Sequence, residues 1–461
     1  MLKEDYCIKS KHFFQAIIKW ILSKRIFFLG ILFIPLLALG KEPIVQHYEL
    51  SNGLQVLVRV NKRAPVAVFQ IWYKVGSSNE YAGITGISHV LEHLMFTGTK
   101  RFPAGQIENL IRAQGGEQNA ITSQDYTLYY QILPVADLAL SFKVESDRMV
   151  NLILTQANLQ KALAVVKEEK KLRIDNNPQA VTLIHFNALA FIASPYQHPA
   201  IGWMNDLNNL QLSAVENWYK TWYVPNNAII VVAGDVNPKT VYQLAQKYFN
   251  AIPARPLPAR PTADTTSEEQ FGKRAVVLRR AAKLPFLIIG YNVPNFYLNK
   301  QLWQAYALYI AQAALVGSES ARLQTELVRN KAMAADVAGD YKIFSKYPTE
   351  FMLFAIPAEN QSLKTLKHAM LQQVALLQTQ PLSAQELNRI KAQITADRVY
   401  ERDSLFQQAK EVGYLAVLGL PWWSAENFVT NIEAVTPAEV QAVAKKYFVP
   451  ERLTIAELKP V

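Results

Sequence analysis

Apolar and polar residues alternate along Gln46–Leu50, Gln55–Val60 and Val66–Tyr73, the two-residue period of strands that bury one face. From Ile87 to Met95 the spacing changes to that of a helix, with Val90 and Leu91 turned toward the interior. This first unit closes with a helix, the turn Trp222-Tyr-Val-Pro225 and a strand over Ala228–Ala233. A second unit opens with strands at Arg274–Arg279 and Phe286–Asn292 and closes with Lys446-Tyr-Phe-Val-Pro450 and a strand over Leu453–Glu457. The two closings rhyme, Trp222 to Val231 against Tyr447 to Ala456, which marks a divergent repeat. Between the units Ile252–Ser267 carries Pro253, Pro256, Pro258 and Pro261, which remove backbone donors and resist both helix and sheet. The pattern predicts an α+β chain: two homologous α/β sandwich domains at 41–251 and 274–461, each an antiparallel sheet with helices packed on it, joined by a Pro-rich linker at 252–273.

The start of the chain is of another kind. Met1 to Arg25 is basic, and Ile26 to Gly40 is an apolar run ending in Ala38-Leu-Gly40. Basic segment, short apolar segment and small-residue step together read as a secretory signal over 1–40, directing the body to the periplasm or otherwise out of the cytoplasm. The run is short for a membrane span, which needs about 20 apolar residues. An uncleaved N-terminal membrane anchor is the alternative, and only then would the protein be held at a membrane. Without residues 1–40, about 420 residues remain, ample for two domains. They hold 42 Lys and Arg against 35 Asp and Glu, a net charge of +7. The basic residues are scattered and no nucleic-acid motif accompanies them, so no nucleic-acid partner is expected. The single cysteine, Cys7, falls in the signal, so the body has no disulfide and is held by its core alone.

The candidate chemistry sits in His89-Val-Leu-Glu-His93. On a helix His89 and His93 lie one turn apart on the same face with Glu92 beside them, and two imidazoles at that spacing can grip one Zn2+. A catalytic zinc takes a third protein ligand and keeps a fourth position for water, whose proton Glu92 is placed to take as general base. H-x-x-E-H is a zinc-peptidase motif, the inverse of H-E-x-x-H. The charged helix Val165–Asp175 offers a third ligand in Glu168 or Glu169; successive helical residues diverge by about 100°, so only one of the two can face the metal.

With these residues the chain resembles the inverzincin metallopeptidases, the family of pitrilysin, insulin-degrading enzyme and the mitochondrial processing peptidase. The match runs from about residue 43 to the end and includes Gly76-Ser77, Glu80, Phe96-Thr-Gly-Thr99, Gly115–Thr122 with Asp125, Thr127 and Tyr129, Ser194-Pro-Tyr196, His198-Pro199, Gly202 and Trp222–Asn227. The resemblance implies a zinc endopeptidase acting on peptides or unfolded segments. It assigns the third ligand to Glu169, at the end of Val165-Val-Lys-Glu-Glu169. It also implies an edge strand near Gly116–Thr122, along which Asn119 and Ala120 would bind a peptide added as one more strand. The second unit carries Gln304–Ala314 where a metal motif would stand, with no His, Glu or Asp, and is catalytically blank.

Two departures from the family matter. Many members place an Arg and a Tyr, seven residues apart, on the scissile peptide from the second domain; the matching run Arg322–Ala335 has Val328 and Ala335 there. The resemblance therefore implies a homologous partner subunit supplying those groups, as in two-subunit members; a homodimer is the other possible assembly, and a non-catalytic scaffold subunit the alternative function. Ala162 and Leu163 replace a Glu that often supports a ligand from behind and an Arg, which predicts weaker zinc binding or another supporting group.

Overall fold

The structure is a computed structural model that describes residues 44–260, 270, 272–297 and 301–461. The expected signal over 1–40, and residues 261–269 and 271 of the Pro-rich stretch, lie outside the described residues.

Eleven strands are described in two sheets. The first has the order β1-β2-β6-β3-β5-β4, from β1 (Val45–Glu49), β2 (Gln55–Val60), β3 (Val66–Tyr73), β4 (Glu117–Thr122), β5 (Thr127–Pro134) and β6 (Ala228–Gly234). The second has the order β7-β11-β8-β10-β9, from β7 (Arg274–Arg280), β8 (Phe286–Val293), β9 (Ala334–Tyr341), β10 (Thr349–Pro357) and β11 (Leu453–Pro460). Removing β1 makes the two orders correspond strand for strand, as the rhyming closings predict. Each sheet is antiparallel except for one parallel pair, β2 with β6 (Gln55↔Ile229) and β7 with β11 (Thr454↔Arg274).

The middle of the first sheet departs from simple alternation. Seven of the eight β3 residues and all of β6 are buried, so both faces of the sheet are covered. The cover comes from the far half of the chain. Helix α3 (Pro178–Ala190), in the first half, packs on β7, β11 and β8 of the second sheet, while α5 (Leu405–Val417), in the second half, packs on β2, β6 and β3 of the first. At each crossing a large ring meets a glycine. A Cβ on Gly413 of α5 would lie 2.3 Å from the Trp72 indole of β3, and one on Gly290 of β8 would lie 2.3 Å from the Phe186 ring of α3. Polar contacts add to the exchange: Arg59 of β2 pairs with Glu426 at 3.2 Å and donates to Gln408 of α5 at 3.1 Å. Ile44–Val461 consequently forms one compact unit, although the two sheets lie on opposite sides of the Pro-rich stretch in sequence.

Helix α4 (Trp303–Val316) follows β8 as the motif helix follows β3. It is largely buried, and its one buried polar side chain at the start, Gln304, accepts from the Tyr447 hydroxyl.

Candidate metal centre

The motif helix α1 spans Ile87–Leu94. Its inner face, Val90, Leu91 and Leu94, is fully buried in the core of the first sheet, which leaves His89, Glu92 and His93 on the outer, half-buried face. The entry to the helix is set by two buried carboxylates. Glu80 accepts from the Gly86 and Ser88 N–H groups at 2.6 and 2.9 Å, satisfying donors that a helix start leaves open. Asp206 accepts from the Thr85 N–H and hydroxyl. Gly86 between them has φ +88°, the left-handed region that only glycine enters cheaply.

Helix α2 (Gln156–Lys170) packs on α1 and brings Glu169 to the histidines. Glu169 Oε2 is 3.4 Å from His93 Nε2 and 3.7 Å from His89 Nε2, and one ligand atom from each residue lies within 4.8 Å of the others. Glu168, its neighbour, is exposed. Burial, then the neighbouring His93, push His89 down to about 4, and burial lowers His93 against the pull of Glu169. Both rings are therefore neutral at physiological pH, the form that offers a lone pair to a metal. The donor set of two imidazoles and one carboxylate, converging and half-buried, fits a zinc ion with room for a further ligand.

Glu92 does not join that triad. Its Oε2 accepts from the Thr122 hydroxyl at 2.5 Å, at the end of β4. Burial raises Glu92 to about 7, assisted by Glu169 and opposed by Thr122. A carboxyl poised near neutrality beside a metal triad is suited to exchange protons with water. Strand β4 forms one edge of the first sheet, as the resemblance implies, with Asn119 exposed and Ala120 half-buried against the core that α1 also joins.

The sequence reading gave no role to three residues that organise the centre. Arg173 pairs with the other oxygen of Glu169 at 2.9 Å. Its i,i+4 spacing from Glu169 was a usable signal. Thr122 and Glu80 belong to the stretches that carry the resemblance, which gives them no role; Thr122 reaches Glu92 from a distant strand, and Glu80 reaches the helix start only six and eight residues on. Ala162 is buried in the same core cluster as Val90 and Leu91 and offers no carboxylate. Correspondingly, His89 Nδ1 is buried without a partner among the described residues. Val328 is half-buried against the second core and Ala335 is exposed on β9, and neither side chain can donate a hydrogen bond. Arg322, which opens that run, is held in a two-pronged pair with Glu386 at 2.8 Å.

Comparison with known proteins identifies the family. Residues 55–202 match the family model described as insulinase, peptidase family M16, and residues 209–394 match the one described as peptidase M16 inactive domain. Zinc protease PqqE of Helicobacter pylori is 30% identical over 445 residues, covering 94% of this chain and 98% of that protein. The mitochondrial-processing peptidase subunit beta of Lentinula edodes is 23% identical, with 88% of each chain covered. A crystal structure of a protease from Helicobacter pylori superposes with a TM-score of 0.85 at 29% identity, covering 91% of this chain and all of that one.

Proposed function

The chain belongs to the M16 peptidase family, members of which similar to it are named zinc proteases, and from that premise we propose that it is an exported zinc-dependent endopeptidase completed by a related subunit. The observation that carries the reading is the convergence of His89, His93 and Glu169 within 4.8 Å with Glu92 beside them. Zinc held by the three would act as a Lewis acid on a peptide carbonyl and make water more acidic. Glu92 takes a proton from water at the site and passes it to the leaving amine, a task to which its raised pKa is matched. Peptide binds alongside β4, main chain to main chain, and therefore with loose sequence preference. Asn119 Oδ1 accepts the Ala120 N–H at 2.8 Å, an internal bond that a peptide carbonyl would replace.

The partner is argued from Val328 and Ala335. Without a cation and a phenol at the developing oxyanion, the chain lacks stabilisation of about 3 kcal/mol per donor, and a homologous subunit is the natural source. The name of the Lentinula edodes relative, a subunit, is consistent with such an arrangement. The same two residues favour a second reading, a non-catalytic subunit that keeps the fold for assembly. Export is argued from residues 1–40 alone; the mass of the mature chain recovered from the cell envelope distinguishes a cleaved signal from an anchor.

The deciding experiment is zinc analysis of the chain from residue 41, with cleavage of a mixed peptide pool measured beside Glu92→Gln. About one zinc per chain, with slow cleavage lost in Glu92→Gln and accelerated by a related subunit, is expected. Full-rate cleavage by the chain alone removes the partner, and zinc without any cleavage, with or without the subunit, leaves the scaffold.

A further inference from the structure

Against the inner face of β4 lies a buried ion pair that the chemistry above does not use. Glu145 and Arg148, one turn apart on the helix Leu138–Val150, are 0% and 1% exposed and meet at 2.8 Å. Both reach the first sheet. Gln131 Nε2 of β5 donates to Glu145 Oε1 at 2.5 Å, and Arg148 Nη2 donates to Gln118 Oε1 of β4 at 3.1 Å. Gln118 and Gln131 stand opposite one another in the β4–β5 ladder, so the four side chains close a clamp across the two strands. The Arg148 guanidinium also lies 4.8 Å from the centre of the Phe96 ring, two residues past the end of the motif helix α1.

Stability does not account for this cluster. Taking two charges out of water costs so much that apolar groups of the same size often serve as well or better. Glu145 Oε2, Arg148 Nε and Gln131 Oε1 find no partner among the described residues, which adds to the cost. What the cluster supplies is geometry. Strand β4 reads Glu117-Gln-Asn-Ala-Ile-Thr122, with two apolar residues in six, so the hydrophobic pattern that normally fixes a strand's register is weak in it. Alternation puts Gln118, Ala120 and Thr122 on one face. That face is tied at one end to Arg148 and at the other to Glu92.

We propose that Arg148 is a positioning residue: with Glu145 it clamps the Gln118–Gln131 pair and thereby fixes where β4, and a peptide added to it, lies relative to the metal ligands on α1. The inference rests on the reading that peptide lies along β4. A displacement of about 1 Å between a bound peptide and the reacting groups is enough to cost a large part of the rate, while the main-chain bonds that hold the peptide persist.

The test compares Gln118→Met, which removes the acceptor at nearly constant shape, with Gln118→Glu, which keeps it. Gln118 is half-buried on an edge strand, so both variants should fold. An internally quenched peptide drawn from the mixed pool is cleaved by the zinc-loaded chain from residue 41. In Gln118→Met kcat should fall about 10-fold with KM within about two-fold, and Gln118→Glu should restore it. Bound zinc and the thermal midpoint should stay as in the natural chain. Amide exchange of residues 117–122, measured without metal or peptide, should be faster by about 10-fold in Gln118→Met and normal in Gln118→Glu. An apolar replacement of the clamp, Gln131→Leu with Glu145→Leu and Arg148→Met, should reproduce the Gln118→Met values, and adding Gln118→Met to it should change nothing more. Additive losses would mean that Gln118 acts on the peptide directly and overturn the role of Arg148. Unchanged kcat and exchange in Gln118→Met, or no rescue by Gln118→Glu, overturn it also, and decide the matter if the apolar replacement does not fold. No cleavage by the natural chain removes the reading beneath, and the exchange rates then decide by themselves whether Arg148 holds the strand.

Discussion

The Thr122 hydroxyl donates to Glu92 across 2.5 Å, so the strand expected to carry the peptide also holds the candidate base. Strand and helix are thus joined at the point where the chemistry is placed. The bond favours the ionised form of Glu92 against a burial that raises it.

Thr122→Val keeps the shape and removes the donor. Loss of a hydrogen bond to a charged group costs about 1.5–3 kcal/mol, which predicts kcat/KM lower by roughly ten-fold or more. The pKa of Glu92 rises when the donor is lost, so the acid limb of the pH–rate profile should move to higher pH. A profile that stays in place would show that the bond does not tune the base.

Glu168 and Glu169 separate the ligand from its neighbour. Glu169→Gln should abolish stoichiometric zinc, and Glu168→Gln, on the exposed side, should leave it unchanged. Arg173→Ala frees the second Glu169 oxygen, but its side chain is 75% exposed, so solvent already weakens that pair. The expected loss of zinc affinity is only a few-fold, below the roughly 10–100-fold typical of buried supporting groups. Competition titration with a chelator measures all three.

Glu80 couples the helix start to pH. Burial raises its carboxyl to about 7, well above its value in the unfolded chain. Between about pH 4.3 and 7 the folded chain therefore binds more protons than the unfolded one. The stability that this group contributes is complete below the unfolded pKa and is lost as pH rises through about 7. Glu80→Gln mimics the protonated form and removes the slope, so its stability relative to the natural chain should improve from pH 5 to pH 8 by as much as about 3 kcal/mol. Urea unfolding of the metal-free chains at the two pH values tests this; a constant difference would mean that Glu80 is ionised throughout.

The helix exchange makes the two halves depend on each other. Gly413→Ala places a methyl 2.3 Å from the Trp72 indole, and overpacking of this kind costs about 1–3 kcal/mol. A single cooperative thermal transition, lowered in the variant, is expected. Two separate transitions would show that the sheets unfold independently in spite of the crossing helices.

The readable parts of the molecule were those whose cause is local. Two-residue alternation located β2 and β3 to the residue, and the spacing of His89, Glu92 and His93 defined one helix face because helix geometry fixes neighbours within a turn. Nothing local marks Pro178–Ala190 as a helix that leaves its own half. Its apolar residues are distributed nearly all round, because it packs between the helical turn Lys171–Asp175 that follows α2 and the second sheet. The continuous burial of β3, where alternation suggested one solvent face, has the same origin: its second face is covered by α5, more than 300 residues away in sequence.

The sequence by itself determined the two-unit α+β plan, the helix face that carries the candidate metal ligands, and the family, because short periods and motif spacings are set by backbone geometry. Tertiary structure alone decided that Thr122 holds Glu92, that Asp206 braces the helix start from far along the chain, and that α3 and α5 trade sheets. Each of those depends on contacts between distant segments, and contacts of that kind are selected by packing of the whole core, which no window of residues contains.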